Sequence, residues 1–294
     1  MLDRLAAFAC SEMDDAFREF DPRDPAHAVE LHRVADVLAT VDPESMAIGE
    51  PGAAPDGGDV PLLAQIAVKL ARSKIAVCAI ESPVHVSVVF AVYKEHTRML
   101  PPGAHPHGED CIVRKVEQMR WLFEGLDRLT WELLIVDDGC PEGSGRLAEE
   151  ILAERCPEAP ARVLFLEDAI RDGLPIAGPM TSTSDSQKGG SVLYGMWLAA
   201  QELRDRQIVL FTDADLSVDL GQTGLLLDEI VRAGADAAIG SRREPDSVVI
   251  KTGHRNTRGK LFIYLWKGLI RPLRSVTDTQ CGFKAFRVET VREI

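Results

Sequence analysis

Residues 84–92, VHVSVVFAV, form a nine-residue run of apolar, mostly β-branched side chains broken only by His85 and Ser87. Runs of the same kind follow at WELLIVD (131–137), RVLFLE (162–167), QIVLFTD (207–213) and DAAIGS (236–241). Between them lie stretches with helical spacing near 111–128, 145–155, 189–204 and 220–233. Strand–helix alternation with nearly uninterrupted apolar strands predicts an α/β fold, a mostly parallel sheet with helices on both faces. In such sheets ligands bind beyond the carboxyl ends of the strands, so the residues just after each run are the candidate functional ones.

Those positions hold Tyr93-Lys94-Glu95, Asp137-Asp138-Gly139, Asp213-Ala214-Asp215 and Gly240-Ser241-Arg242-Arg243. Carboxylates at three strand ends of one sheet repel one another unless they meet a cation or hydrogen-bond donors. Asp-x-Asp after an apolar strand suits Mg²⁺ or Mn²⁺, which take one or two carboxylates plus substrate phosphate oxygens. For Asp137 and Asp138 a second role stays open, since Asp also caps the start of a following helix.

Taken together, HVSVVFAVYKE, ELLIVDDGCPEGS, QKGGSVLYGM, IVLFTDADLSVD, AAIGSRRE and TDTQCGFKAF resemble family 2 glycosyltransferases between residues 84 and 287. The similarity is greatest to the dolichyl-phosphate glucosyltransferase and polyprenyl-phosphate glycosyltransferase branch, with DTQCGFK its most specific piece. The resemblance implies a GT-A type, Rossmann-like fold and transfer of a sugar from a nucleotide diphosphate donor, UDP by inference. It implies that Glu95 and Asp137 face the nucleoside, with Tyr93, Asp138 and Ala214 beside them and Lys188 and Gly189 near the diphosphate. Asp213 and Asp215 would hold the metal. Asp215, Arg242 and Asp278 would be the catalytic group. Ser241, Arg242, Arg255, Arg258, Gln280 and Gly282 would line the acceptor side, where a lipid phosphate is expected. The sequence departs from the family in Lys94, where Asn is usual, and in the inserted MLPPGAHPHGED (99–110). The loop 168–187 is long, and the chain ends at Ile294, soon after GFKAF, so a short or truncated acceptor portion is expected.

Outward from this core, residues 1–59 are acidic and end in the turn-rich GEPGAAPDGGD, which predicts a small helical appendage and linker before a catalytic domain at 60–294. Its helix is expected from Asp24-Pro25 onward, with Val29, Val34, Val37, Leu38 and Val41 on one face. A second helix is expected in VPLLAQIAVKLARSK (60–74). From Lys251 to Thr277 there is no acidic residue, and Lys and Arg alternate with Leu, Phe, Ile, Tyr and Trp. Such a segment suits a membrane surface and an anionic acceptor, or equally a helix packed on the sheet. The acidic appendage could meet it within one chain or across a homodimer.

The net charge of −13 argues against nucleic acid as a partner. Six scattered cysteines without a C-x-x-C pair imply reduced thiols, hence a cytoplasmic protein, peripheral at the inner membrane surface if it meets lipid at all. His105 and His107 lack a third spaced ligand and are expected to be solvated. No G-x-G-x-x-G follows a strand, which argues against a Rossmann dehydrogenase. The Asp-x-Asp lies too far along the chain for an aspartyl-nucleophile phosphatase. Two alternatives remain open: a transferase acting on a hydroxyl, with Asp278 as its base, and a non-catalytic nucleotide-sugar-binding relative.

Overall fold

The computed structural model describes residues 9, 13, 20–40, 60–202, 204–249 and 266–293. Its centre is a six-stranded sheet in the order β3-β2-β1-β4-β6-β5. The strands are β1 (Val84–Val92), β2 (Leu129–Asp137), β3 (Ala161–Phe165), β4 (Gln207–Phe211), β5 (Ala237–Ile239) and β6 (Lys284–Arg287). Strands β1 to β4 run parallel, and β6 is antiparallel to both β4 and β5. β1 is buried along its whole length because both faces are covered. Val84, Val86, Val88, Phe90 and Val92 join one apolar cluster, and Val89 and Ala91 the other, the period-2 alternation of a pleated strand.

Among the described residues, helices with both ends placed are α1 (Pro25–Ala39), α2 (Leu62–Cys78), α3 (His96–Met99), α4 (Cys111–Phe123), α5 (Ser144–Arg155), α6 (Leu166–Arg171), α7 (Gly189–Gln201), α8 (Thr223–Val231) and α9 (Val288–Arg292). One sheet face carries α1, α2, α4, α5 and α8; the other carries α6, α7 and α9. The mostly parallel sheet between two helical layers is thus as expected. Three particulars differ. β3 stops at Phe165 because Leu166 already opens a helix. β4 stops at Phe211, two residues before the Asp-x-Asp. The sixth strand, KAFR, was not foreseen; four residues are too few to show a period, and its place comes from pairing with β4 and β5.

The expected N-terminal helix forms, with Asp24 accepting the Ala26 N–H at 2.8 Å as its cap. Its buried face is Leu31, Val34, Ala35 and Leu38, and Val29 points away. That face belongs to the main core cluster, against α2. His32 stacks on Trp121 of α4 with ring centroids 4.5 Å apart, and the Trp121 Nε1–H donates to Asp36. The proposed linker and the boundary at residue 59 lie outside the described residues.

Candidate active site

The carboxyl ends of β1, β2 and β4 meet at one edge of the sheet, where the order reverses direction between β1 and β4. Asp137 ends β2. Its Oδ1 accepts the N–H groups of Gly139 and Cys140, each at 2.9 Å, and its Oδ2 accepts the N–H of Gly145 at 2.7 Å. A Cβ on Gly145 would stand 2.6 Å from Asp137 Oδ2, so only glycine lets the start of α5 close on this carboxylate. Asp138, also buried, accepts the Lys188 N–H at 2.9 Å and the Ser191 hydroxyl, tying the turn to the start of α7. Asp137 thus bonds to the start of the following helix, the role left open in the sequence, whereas Asp138 bonds to the start of α7, 50 residues on. Asp137 also borders a cleft of about 540 Å³ with Gly139, Arg146, Phe165, Arg171 and Thr183. Within it the Arg146 guanidinium lies 4.1 Å from the Phe165 ring centroid.

Past β1, Tyr93 is exposed, and Lys94 takes φ of +58° with its ammonium 5.5 Å from the Tyr93 ring. The Lys94 N–H donates to Cys140 Sγ at 3.1 Å, and the Glu95 N–H to Ser144 Oγ at 3.0 Å. Burial alone would raise the Cys140 thiol, but the Ser144 hydroxyl and the N–H donors around it outweigh this and lower it. The Glu95 carboxylate is held by Arg98 at 2.6 Å.

The DAD turn follows β4. Asp213 pairs with the Lys188 ammonium, and a Cβ on Gly282 would approach Asp213 Oδ2 to 2.3 Å, so the segment before β6 is pressed against this carboxylate. Asp215 Oδ1 accepts the Ser217 N–H at 3.2 Å, and Ala214 between the two is buried. Among the described residues no three His, Cys, Asp or Glu side chains converge as a metal-ligand set. The two carboxylates of the turn, Asp213 paired with an ammonium and Asp215 with a main-chain N–H, are oxygen donors of the kind a hard divalent cation takes together with ligand phosphates. Gly189 begins α7 directly after Lys188, which has φ of +71°.

Across the site, Arg242 grips Asp278. Its Nε donates to Oδ2 at 2.8 Å and its Nη2 to Oδ1 at 3.1 Å, while the N–H groups of Gln280 (3.0 Å) and Arg242 (3.3 Å) complete the set. The Asp278 side chain is wholly buried and that of Arg242 is half exposed. Burial alone would raise the Asp278 carboxyl; Arg242 and the two N–H donors outweigh it and hold it below the ordinary carboxylate value. A carboxylate so engaged is a poor proton acceptor. Ser241 Oγ accepts the Arg243 N–H at 3.2 Å, and Gln280 is near the surface with its amide toward Thr279. Arg255 and Arg258 lie outside the described residues, as does most of the acid-free stretch. In its described end, Leu269 is 78% exposed, followed by Arg271 and Arg274.

Three groups at the site were not anticipated. Lys115 on α4 is completely buried and donates to the Asp215 carbonyl at 2.9 Å. Its position was readable, since it falls on the apolar face of α4 with Ile112, Met119 and Leu122. Glu109, from the inserted loop, accepts the Leu216 N–H at 3.2 Å, with no sequence signal to mark it. Lys284 on β6 lies 5.1 Å from the Phe211 ring, its ammonium lowered by burial against the charges of Cys281, Asp278 and Asp213.

No family model matches the chain. It is 26% identical over 213 residues to the glycosyltransferase AglD of Haloferax volcanii, covering 70% of this chain and 27% of that protein. It is 30% identical over 167 residues to an undecaprenyl-phosphate mannosyltransferase of Micrococcus luteus, covering 55% and 57%. It is 28% identical over 223 residues to a dolichyl-phosphate beta-glucosyltransferase of Drosophila melanogaster, covering 73% and 58%. These relatives are glycosyltransferases, polyprenyl-phosphate sugar transferases among them, as the motifs imply. The chain spans between about a quarter and three fifths of their lengths. Among solved structures it is similar to glucosyl-3-phosphoglycerate synthase from Mycobacterium tuberculosis in complex with phosphoglyceric acid, with 16% identity and a TM-score of 0.46 over 75% of this chain and 61% of that one. The same synthase in complex with Mn²⁺, uridine-diphosphate and phosphoglyceric acid gives 17% identity and a TM-score of 0.45, covering 75% and 60%.

Proposed function

We propose that this chain is an inverting glycosyltransferase that moves a sugar from a nucleoside diphosphate donor, a UDP-sugar, to a polyprenyl-phosphate acceptor at a membrane surface. The observation that carries this reading is the DAD turn at the end of β4, whose Asp213 pairs with the Lys188 ammonium and is pressed by Gly282, four residues along the chain from the Asp278 that holds Arg242. The names of the sequence relatives support the acceptor class. Asp213 and Asp215 would hold Mg²⁺ or Mn²⁺, which when bound acts as a Lewis acid on the diphosphate. Lys188 would turn from Asp213 to the diphosphate oxygens, with the N–H groups that open α7 beside it. The cleft lined by Phe165 and Arg146 would take the base, with the Asp137 turn as its floor.

On the acceptor side, Asp278 would position Arg242 rather than act as a base. Held from one edge by a buried carboxylate, the guanidinium offers its remaining N–H groups to phosphate oxygens in a fixed plane. The acceptor phosphate oxygen forms its bond to the anomeric carbon as the bond from that carbon to the diphosphate oxygen breaks. It is already ionised near neutral pH, so no proton has to be removed. No described helix is long and apolar enough to cross a membrane, and the exposed Leu269 with Arg271 and Arg274 suits contact with an anionic lipid surface.

The test is transfer from a panel of UDP-sugars to a short-chain polyprenyl phosphate, with excess EDTA and Asp215→Asn as controls. Turnover should require added Mn²⁺ or Mg²⁺ and vanish in Asp215→Asn. Transfer to soluble hydroxyl acceptors but never to the lipid phosphate would overturn the acceptor assignment, and full activity in EDTA would overturn the cation site.

A further inference from the structure

Directly behind the DAD turn, one peptide group is gripped from both edges by opposite charges. The carbonyl of Asp215 accepts from Lys115 Nζ at 2.9 Å, and the N–H of Leu216, the other half of the same peptide, donates to Glu109 Oε2 at 3.2 Å. Lys115 reaches it from α4, fully buried, with Nζ 5.5 Å from the Phe90 ring centroid. Glu109 reaches it from the inserted segment 99–110. That segment is pinned in turn: the Glu109 N–H donates to the Arg98 carbonyl at 3.0 Å and the Asp110 N–H to the Leu100 carbonyl at 2.9 Å. Arg155 grips the Asp110 carboxylate at the far end of the insert. Arg98 links Glu109 (3.4 Å) to Glu95 (2.6 Å), so the grip extends to the end of β1.

Burying an ammonium costs free energy that an apolar side chain of equal length would not, unless partners compensate it. An apolar side chain would fill the same space beneath the turn, but it would leave the Asp215 carbonyl without its donor. What the cation and the insert supply is direction. A peptide plane held at its oxygen and its N–H cannot swing about the ψ of Asp215 or the φ of Leu216, and those torsions decide how Asp215 presents its carboxylate.

We propose that Lys115 and Glu109 are positioning residues for the cation-binding turn, fixing the Asp215–Leu216 peptide and through it the Asp215 carboxylate. This rests on the reading of Asp213 and Asp215 as cation ligands, and it gives the insert 99–110 a function. Partners one step outside a metal's ligands govern affinity through such orientation.

The experiment measures UDP binding by calorimetry, across a Mn²⁺ series and in EDTA, together with the thermal midpoint without metal. It compares wild type, Glu109→Ala, Lys115→Met and the conservative Glu109→Gln, which keeps an acceptor oxygen. Glu109→Ala and Lys115→Met should need about tenfold more Mn²⁺ or higher for half-maximal enhancement of UDP binding, the usual effect of losing such a partner. Their UDP affinity in EDTA should match wild type, and Glu109→Gln should stay near wild type throughout. An unchanged Mn²⁺ requirement in Glu109→Ala overturns the proposal, as does an equal loss of affinity with and without Mn²⁺, which is what a merely structural role gives. If Lys115→Met does not fold, the loop variant Glu109→Ala decides alone. Wild-type UDP binding that ignores Mn²⁺ would bring down the cation site itself, and the clamp with it.

Discussion

Replacing Asp137 with alanine removes the acceptor for three main-chain donors at once. The Gly145 N–H is buried at the start of α5, so losing its partner should cost about 1–3 kcal/mol, the penalty for a buried unpaired donor. The N–H groups of Gly139 and Cys140 are only partly buried, and water can recover some of their loss, leaving about 1 kcal/mol each. The total is about 3–5 kcal/mol, a large share of the roughly 5–15 kcal/mol that holds a domain together. Urea unfolding followed by circular dichroism should show the midpoint falling accordingly, with UDP affinity reduced as the turn loosens. Gly145→Ala leaves the carboxylate intact but places a methyl 2.6 Å from it, so it should destabilise in the same way. An Asp137→Ala protein with the wild-type midpoint and only weakened UDP binding would refute this reasoning and assign the carboxylate to the ligand instead.

Acid should weaken the fold through His32. Burial holds its imidazole below the ordinary value, so its contribution is complete above the unfolded value of about 6.5 and is lost as pH falls below it. Stability measured at pH 7.5 and 5.5 should therefore drop less in His32→Phe than in wild type, and an identical drop would clear His32 of the effect. Removing residues 1–40 takes away Leu31, Val34 and Leu38, each worth about 1.5–3 kcal/mol of burial, so the shortened chain should lose soluble expression or cooperative unfolding. A truncated protein that unfolds at the wild-type temperature would return this helix to the status of an appendage. Gly282→Ala should displace the Asp213 carboxylate and weaken Mn²⁺-dependent UDP binding while leaving the unfolding free energy within about 1 kcal/mol of wild type; undiminished binding would show that the segment before β6 can give way.

The strand ends were legible because β1, β2 and β4 are covered on both faces and therefore apolar almost throughout, leaving the polar residues at their carboxyl ends conspicuous. The α1 helix was legible as a helix but not as core. Its acidic surroundings suggested an appendage, and the choice between Val29 and Leu31 as the inward residue depends on a neighbour, α2, that periodicity does not identify. At the site, Asp137 meets donors within eight residues of itself, so its capping role could be weighed from local sequence. The other contacts are remote: Asp138 with Lys188, Lys188 with Asp213, Lys115 with Asp215, Glu109 with Leu216, Arg242 with Asp278. They follow from where the chain crosses over, which spacing along a single sequence does not encode. The motif resemblance supplied the residues' company without their geometry: it set Asp278 on the acceptor side, and the commitment of its oxygens to Arg242 is a contact that no motif spells out.

The antiparallel pairing of β5 with β6 has a consequence for how such a molecule can be altered. Ala238 stands opposite Ala285, and the Gly240 N–H donates to the Phe283 carbonyl at 2.8 Å. The chain therefore leaves the sheet at Gly240 and rejoins it at Phe283 almost where it departed. Main-chain hydrogen bonds close a neck at these two points, so the register of β5 on β6 does not depend on the length of chain that joins them. Loop closure adds only about 0.6 kcal/mol for each doubling of length. Changes of length inside that stretch therefore leave the pairing of β5 with β6 in register, provided the neck, the Arg242–Asp278 pair, Gly282 against Asp213 and the Asp246 pair with Lys69 are kept. The same edit between β1 and β2 falls on the helix that carries Lys115 and has no such neck to absorb it.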